Sequence, residues 1–385
     1  MLSMRHLFFK NLYACSTAAT KSCVAPLLDS SSISIYTPRL CAVASCLSSA
    51  AATINRGFKT MKFFSGDFVK PPTVAINLLP RQGSWGGANQ WTTQLSRWLS
   101  YHGWMVYYDL SVIPDVIVMT HTGFSTENSF EAKDVAALKK KHPHVRCLHR
   151  INDNDIRKNS SGMDDFLAES NRVADHTVFV SKWLRDHHAT RWFDLSRPHS
   201  VITPGADLRF FHPIGTALPT LGEPLRLVTH HWSDNWNKGF DVYQQIDEWI
   251  AAQQEKKFEL WVIGRWPQEL KWKSARTFPS VTGAKLGALL RQCHGYVSAS
   301  RYEPGAMHVA EGLQCGLPLL YHRDTGGTVE QGLRYGMEIG NDLGDTLNCF
   351  SEQLPHLRAK LLVDPPSGSK MALEYLQLLQ RMMVL

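Results

Sequence analysis

The chain has 385 residues, 41 of them Lys or Arg and 34 Asp or Glu, and 44% is hydrophobic, enough for more than one sizeable core. The net charge of +7 is uneven: residues 1–60 carry six basic side chains and one acidic, whereas the remaining 325 carry 35 and 33. A nearly neutral body excludes a nucleic-acid binder by charge. Four scattered cysteines in that body (Cys147, Cys293, Cys315, Cys349) exclude a disulfide-built secreted scaffold.

Residues 1–60 are rich in Ser and Ala, contain Arg and Lys, and nearly lack acids, which is the composition of an organellar address. A mitochondrial address is the leading expectation and a plastid one the second. The alternative is a native start at Met61 and a cytoplasmic protein. The apolar stretch 40–54 is broken by Ser and is shorter than the ~20 residues of a spanning helix, so no transmembrane segment is expected.

From residue 73 onward, apolar runs alternate with helical patterns. Residues 73–79 read as a strand, followed by a Gly-rich turn at Gly83, Gly86 and Gly87. A helix follows, with Trp91, Leu95, Trp98 and Leu99 on one face. Residues 104–108, 115–120, 145–151, 177–181 and 200–203 read as strands, with helices at 131–141 and 163–173. The strands are short, β-branched and not strictly alternating, as in a parallel sheet buried on both faces. Residues 211–224 hold three Pro and two Gly and read as a linker. The alternation then restarts, with strands at 225–231, 258–264, 295–300 and 317–322. Helices are expected at 239–252, 284–293, 307–315 and 370–383. Two such halves imply an α/β protein of two doubly wound domains facing a cleft. The expected bounds are 61–212 for the first domain, 213–224 for the linker, and 225–385 for the second, C-terminal helix included.

The densest chemistry lies at 297–330. A strand leads to a loop with Glu303, Pro304 and Gly305, and a helix starts there. The backbone N–H groups of Gly305, Ala306 and Met307 at that start, with the helix dipole, suit a phosphate. Glu311, two turns on, suits a ribose diol, and Glu303 the far end of a diphosphate. In the first half, Gly86 and Gly87 fit either a tight strand-to-helix turn or close approach to a phosphate or sugar. His149, Arg150, Asn152 and Asp153 follow a strand end that faces the cleft, as does His121. A lone His is more often structural. Asp153-Asn154-Asp155 matches a metal-binding Asp-x-Asp pattern, but such a triplet arises by chance among 33 acids. It reads as polar loop or acceptor contact, and no metal is expected. Lys139, Lys140 and Lys141 read as a solvated helix face.

The order Glu303, seven residues, Glu311, then Gly316-Leu317-Pro318 resembles the retaining GT-B glycosyltransferases (glycosyl transferases group 1). This is the family of sucrose synthase and bacterial mannosyltransferases. Gly326-Gly327-Thr328-Val329-Glu330, Asn237-Lys238-Gly239, Thr203-Pro204-Gly205-Ala206-Asp207, Phe211-His212-Pro213 and Gly86-Gly87-Ala88 match further segments in order. Two departures stand out. Glu303-Pro304-Gly305-Ala306 replaces the usual Glu-Gly-Phe-Gly. Thr229-His230-His231-Trp232 stands where the family carries a phosphate-facing Arg. The resemblance implies transfer of a sugar from a nucleoside diphosphate donor with retention, without a metal or other cofactor. It implies Glu303, Lys238 and His149 as the catalytic set, with Lys238 on the diphosphate. Glu311, Gly305, Ala306, Met307, His230 and His231 would hold the donor. Gly86, Gly87, Asn152 and Asp153 would line the acceptor or phosphate side. The acceptor, whether glycan, lipid or small molecule, is not specified, and no nucleic-acid partner is implied. Closure is expected about a hinge near 205–224. The alternative is a non-catalytic nucleotide-sugar or glycan-binding protein on the same fold. A dehydrogenase is disfavoured, because Gly-x-Gly-x-x-Gly is absent after the first strand.

Overall fold

The computed structural model describes residues 70–83, 85–121 and 128–384. The expected address segment, 1–60, lies outside them. No helix among the described residues is long and apolar enough to cross a membrane.

Two six-stranded sheets carry the fold. The first is built from β1 (Thr73–Ile76), β2 (Met105–Tyr107), β3 (Val116–Thr120), β4 (Arg146–Ile151), β5 (His176–Phe179) and β6 (His199–Val201), in the spatial order β2-β1-β3-β4-β5-β6. The second holds β7 (Leu225–His231), β8 (Phe258–Gly264), β9 (Arg276–Phe278), β10 (Gly295–Ser298), β11 (Leu319–Tyr321) and β12 (Gly336–Glu338), ordered β12-β11-β10-β7-β8-β9. Every pairing of these strands is parallel, and Val74 of β1 sits between Val106 and Val116. Strands β1, β3 and β10 are buried along their whole length, as expected of mainly apolar strands covered on both faces. The expected two doubly wound domains are therefore present.

The helix Gly87–Tyr101 buries Trp91, Leu95 and Leu99, each one turn apart, against β1 and β3. Its other neighbour corrects the expected domain bounds. The final helix, Gly368–Val384, does not stay with the second domain. Met371, Tyr375, Leu379 and Met382 pack into the first domain's core, and Tyr375 meets Trp91 edge-on at 5.4 Å. The apolar face of that helix has its partner in the first half, so the chain crosses between domains twice.

The two crossings touch. Ala206 pairs with Ser367, and Gly368 N–H donates to the Ala206 carbonyl at 2.8 Å. A Cβ on Gly205 would lie 2.2 Å from the Ser367 carbonyl oxygen, which only glycine avoids. Ala206 and Phe211 already belong to the second core. The Pro/Gly stretch 213–224 is thus not a free linker. Thr216 donates to the Cys315 carbonyl and Ala217 N–H to the Arg291 carbonyl, both at 2.7 Å. Arg358 holds the Ala217 carbonyl from the other side. The segments that join the two domains are therefore 203–206 and, beside them, 364–368.

Candidate functional site

The carboxyl ends of both sheets open onto one cleft with a cavity of about 820 Å³. Its walls include Gly86, Gly87, Asn152 and Asp153 from the first domain. From the second come His230, His231, Lys238, Glu303, Gly305, Ala306, Met307 and Glu311. Of the residues expected to form the site, all but His149 and His121 meet here.

Lys238 closes a short 3-10 turn, Trp236–Lys238, that begins with Asn235 accepting from Asn237 N–H. The turn lies on the end of β10 because Gly239, at φ 86°, has no Cβ; one would sit 2.2 Å from the Ala299 carbonyl oxygen. Lys238 forms a partly buried ion pair with Glu303. Burial alone would push the Glu303 carboxyl up, but Lys238, Arg157 and His308 outweigh it and hold the carboxyl at about 2. Burial and Arg157 push the Lys238 ammonium down, while Glu303 opposes them. Glu303 is a carboxylate at neutral pH, and its partner charge is in place.

The Glu303 loop is pinned from behind. Glu303 N–H donates to Thr325 O, Gly327 N–H donates to Glu303 O, and Tyr302 stands at φ 56°. This explains Gly326-Gly327. A Cβ on Gly327 would lie 2.3 Å from the Pro304 carbonyl. Pro304 accepts from Ser181 of the first domain at 2.5 Å. Gly305 lets Val180 and Pro204 approach closely. Glu330, the last residue of that motif, does not face the cavity. It accepts from Trp183 N–H at 2.9 Å and so caps a helix of the opposite domain, Lys182–Ala189.

The helix Met307–Gln314 begins at Ala306 with no side-chain cap and no acid in its first turn. Its opening N–H groups therefore face the cavity without an intrahelical partner. One turn on, Glu311 is 1% exposed. Its Oε2 meets His230 Nε2 at 2.7 Å, and its Oε1 has no partner. The Tyr296 hydroxyl bridges His230 Nδ1 and His308 Nδ1 at 3.0 Å each. If His230 donates from Nε2 to the carboxylate, its Nδ1 accepts from Tyr296, which in turn accepts from His308 Nδ1–H. That chain leaves His308 Nε2, a buried atom without partner, as a bare acceptor. Burial and Lys238 push His308 well below the usual histidine range, so it is neutral at pH 7. His231, also pushed well down by burial and His308, holds Thr229 and Tyr243 through Nε2 and leaves Nδ1 unpartnered.

His149 is corrected. It is fully buried and absent from the cavity wall. Its Nδ1 accepts from the Asn171 amide at 3.0 Å, so its Nε2–H donates to His121 Nδ1, also at 3.0 Å. His121 in turn faces Glu131 at 3.5 Å. Burial pushes His149 well below its usual range. Both histidines are buried core residues, of β4 and of the turn after β3.

Sequence reasoning missed Arg157 and His308, which both reach the cavity. Arg157 sits on the one-turn helix Asp155–Lys158 capped by Asn154, and pairs with Asp153 at 3.5 Å. An Asn cap followed by an i, i+4 Asp–Arg pair was the available signal. Asp155 turns away and accepts from Met163 N–H and Asp164 N–H, so the acidic triplet does not converge on one point. Among the described residues one cluster has metal-ligand spacing, Asp164, His187 and His188. It is a poor fit for a cation. Trp192 Nε1 donates to His188 Nδ1, and Arg191 lies 3.3 Å from Asp164.

No family model matches the chain, and no curated protein is similar to it at a significant level. Solved structures do match. Sucrose-phosphate synthase from Thermosynechococcus elongatus is 14% identical, with 82% of this chain and 100% of that one covered at a TM-score of 0.58. HepE from Anabaena, in complex with UDP-glucose, is 12% identical over 81% and 100% at 0.57. The catalytic domain of starch synthase IV from Arabidopsis thaliana, bound to ADP and acarbose, is 11% identical over 82% and 100% at 0.53. With the two parallel sheets and their shared cleft, these likenesses give the chain the GT-B fold of glycosyltransferases.

Proposed function

We propose that the protein transfers a sugar from a nucleoside diphosphate donor to an acceptor, with retention and without a resident metal. One observation carries this reading: a single wall of the cleft presents three donor-binding elements together. They are a half-buried lysine paired to Glu303, an uncapped helix start, and a buried Glu311 with one unpartnered oxygen. The two N–H-rich and cationic elements suit a diphosphate whose charge grows as the glycosidic bond breaks. The unpartnered Glu311 oxygen suits a ribose hydroxyl. HepE and starch synthase IV, which share the fold, were solved with UDP-glucose and with ADP.

In this mechanism Lys238 and the N–H groups after Ala306 stabilise the leaving diphosphate. Glu303 orients the sugar and holds Lys238 in place. With His149 tied into the core, the leaving phosphate itself takes the acceptor's proton. The phosphate-facing Arg missing from 229–232 is supplied across the cleft by Arg157, which lies near both Glu303 and Lys238.

The test is a thermal-shift panel of UDP-, GDP- and ADP-sugars on the wild type and Glu311→Gln. A ligand at ~100 times its Kd stabilises by about 2.7 kcal/mol. The substitution keeps the bond to His230 and removes the charge. Losing charge-assisted bonds to the ribose costs about 1.5–3 kcal/mol, a roughly 10- to 150-fold rise in Kd. An unchanged Kd in the folded variant refutes the ribose assignment. NMR of the product anomer decides retention. The rival, a non-catalytic binding protein, rests on the absent arginine in 229–232; donor binding with neither transfer nor hydrolysis would favour it.

A further inference from the structure

Arg150 is unlike the other charged groups of the cleft. It is 4% exposed yet lines the cavity. No ion pair reaches it among the described residues. Its guanidinium stands 4.4 Å over the Trp91 ring and faces the neutral Tyr375 hydroxyl, Nη1 donates to Thr120 Oγ1 at 3.3 Å, and Nε has no partner. The acids of the same cavity are already matched: Asp153 to Arg157, Glu303 to Lys238, Glu311 to His230. The other deeply buried arginine among the described residues, Arg358, is satisfied by the Ala217 and Thr216 carbonyls. A guanidinium is rarely left buried without an anion, because desolvation is then uncompensated.

Trp91 belongs to the helix Gly87–Tyr101, so Arg150 stands over the first turns of that helix. Gly86 is its N-cap, no side chain caps it, and its first turn has no acid. The N–H groups of Gly87 and Ala88 have no intrahelical partner, and both residues line the cavity. Two orphan donors and a planar, multi-donor cation together match a phosphomonoester better than any neutral hydroxyl.

We propose that Arg150 and the first turn of the Gly87–Tyr101 helix form an anion subsite that holds a phosphate group on the acceptor. This rests on the glycosyl-transfer reading for the word acceptor; the anion site itself does not. The donor diphosphate has its own cation, Lys238, on the opposite wall.

The experiment uses the full chain. Inorganic phosphate, glucose 6-phosphate and glucose are titrated by thermal shift, with and without a saturating nucleoside diphosphate. Arg150→Gln and Arg150→Lys are compared with the wild type. The expected result is stabilisation by phosphate and glucose 6-phosphate but not by glucose. Arg150→Gln should weaken phosphate binding at least tenfold, with Arg150→Lys between, and should leave UDP, GDP or ADP affinity within twofold. Equal binding of phosphate by Arg150→Gln overturns the proposal. So does parallel loss of nucleotide and phosphate, which assigns Arg150 to the donor. A wild type indifferent to phosphate overturns it without any variant. If no nucleotide binds, the glycosyl-transfer reading fails, and the phosphate titrations without nucleotide still decide the anion site. If the Gln variant does not fold, the wild type and Arg150→Lys carry the comparison.

Discussion

Glu303 is the residue on which the site's electrostatics can be tested without knowing a substrate. Its carboxyl is held at about 2, against an ordinary value of 4.5, by Lys238, Arg157 and His308 in spite of burial. Because the folded value is the lower one, the stabilisation is present above pH ~4.5 and is lost as pH falls toward 2. A shift of that size corresponds to about 3 kcal/mol, of which about 2 kcal/mol is gone by pH 3. Glu303→Gln removes the titration and leaves Lys238 half-buried beside Arg157, so it should be less stable than the wild type at neutral pH. The assay is urea unfolding of both proteins from pH 6 to pH 3. Other carboxylates titrate in both and cancel in the difference. The gap should shrink by about 2 kcal/mol on acidification. A gap that is constant over this range refutes the assigned pair.

Other residues separate architecture from chemistry. His149→Gln breaks a buried histidine bond and should cost about 1–3 kcal/mol in unfolding, while any donor turnover stays within a few-fold; a selective collapse of kcat would return His149 to the site. Gly205→Ala drives a Cβ into the Ser367 carbonyl and should cost more than about 2 kcal/mol, read as a falling Tm. A Tm within a degree of wild type would show that the two crossings do not press together as described.

Much of this was legible before any coordinates. Parallel strands betray themselves through mainly apolar runs such as those in β1, β3 and β10, and the restart after residue 224 gave the second sheet. Glu303, Glu311 and Lys238 converge because each lies just beyond a strand end or on the helix that follows. What stayed hidden needed three dimensions. The 21-residue helix Leu343–Val363 carries Pro355 inside it, a breaker signal that its packed neighbours override. The strands β9 and β12 are three residues each, too short for any period. The last helix shows one apolar face but not which core receives it. His149 and Arg150 are neighbours in the second half of β4, and only the pleat decides that His149 points to His121 while Arg150 points to Trp91.

That alternation also clarifies what the motif residues do. Four hydrogen bonds cross the cleft beside the cavity: Ser181 to Pro304, Glu330 from Trp183, Asn154 to Tyr302, and Asn237 to Arg157. Each exchanges with water on opening, so together they favour the closed form by only about 2–6 kcal/mol before the entropy of domain motion is subtracted. A latch of that size is reversible by thermal motion. Two of the four bonds involve groups on the Glu303 loop itself, Tyr302 and Pro304. The loop that positions Glu303 is thus held from both sides, by Thr325 and Gly327 within its own domain and by Ser181 and Asn154 from the other. The Gly326-Gly327 turn and Glu330 serve this contact between the domains: Gly327 admits the Pro304 carbonyl, and Glu330 accepts from Trp183 N–H.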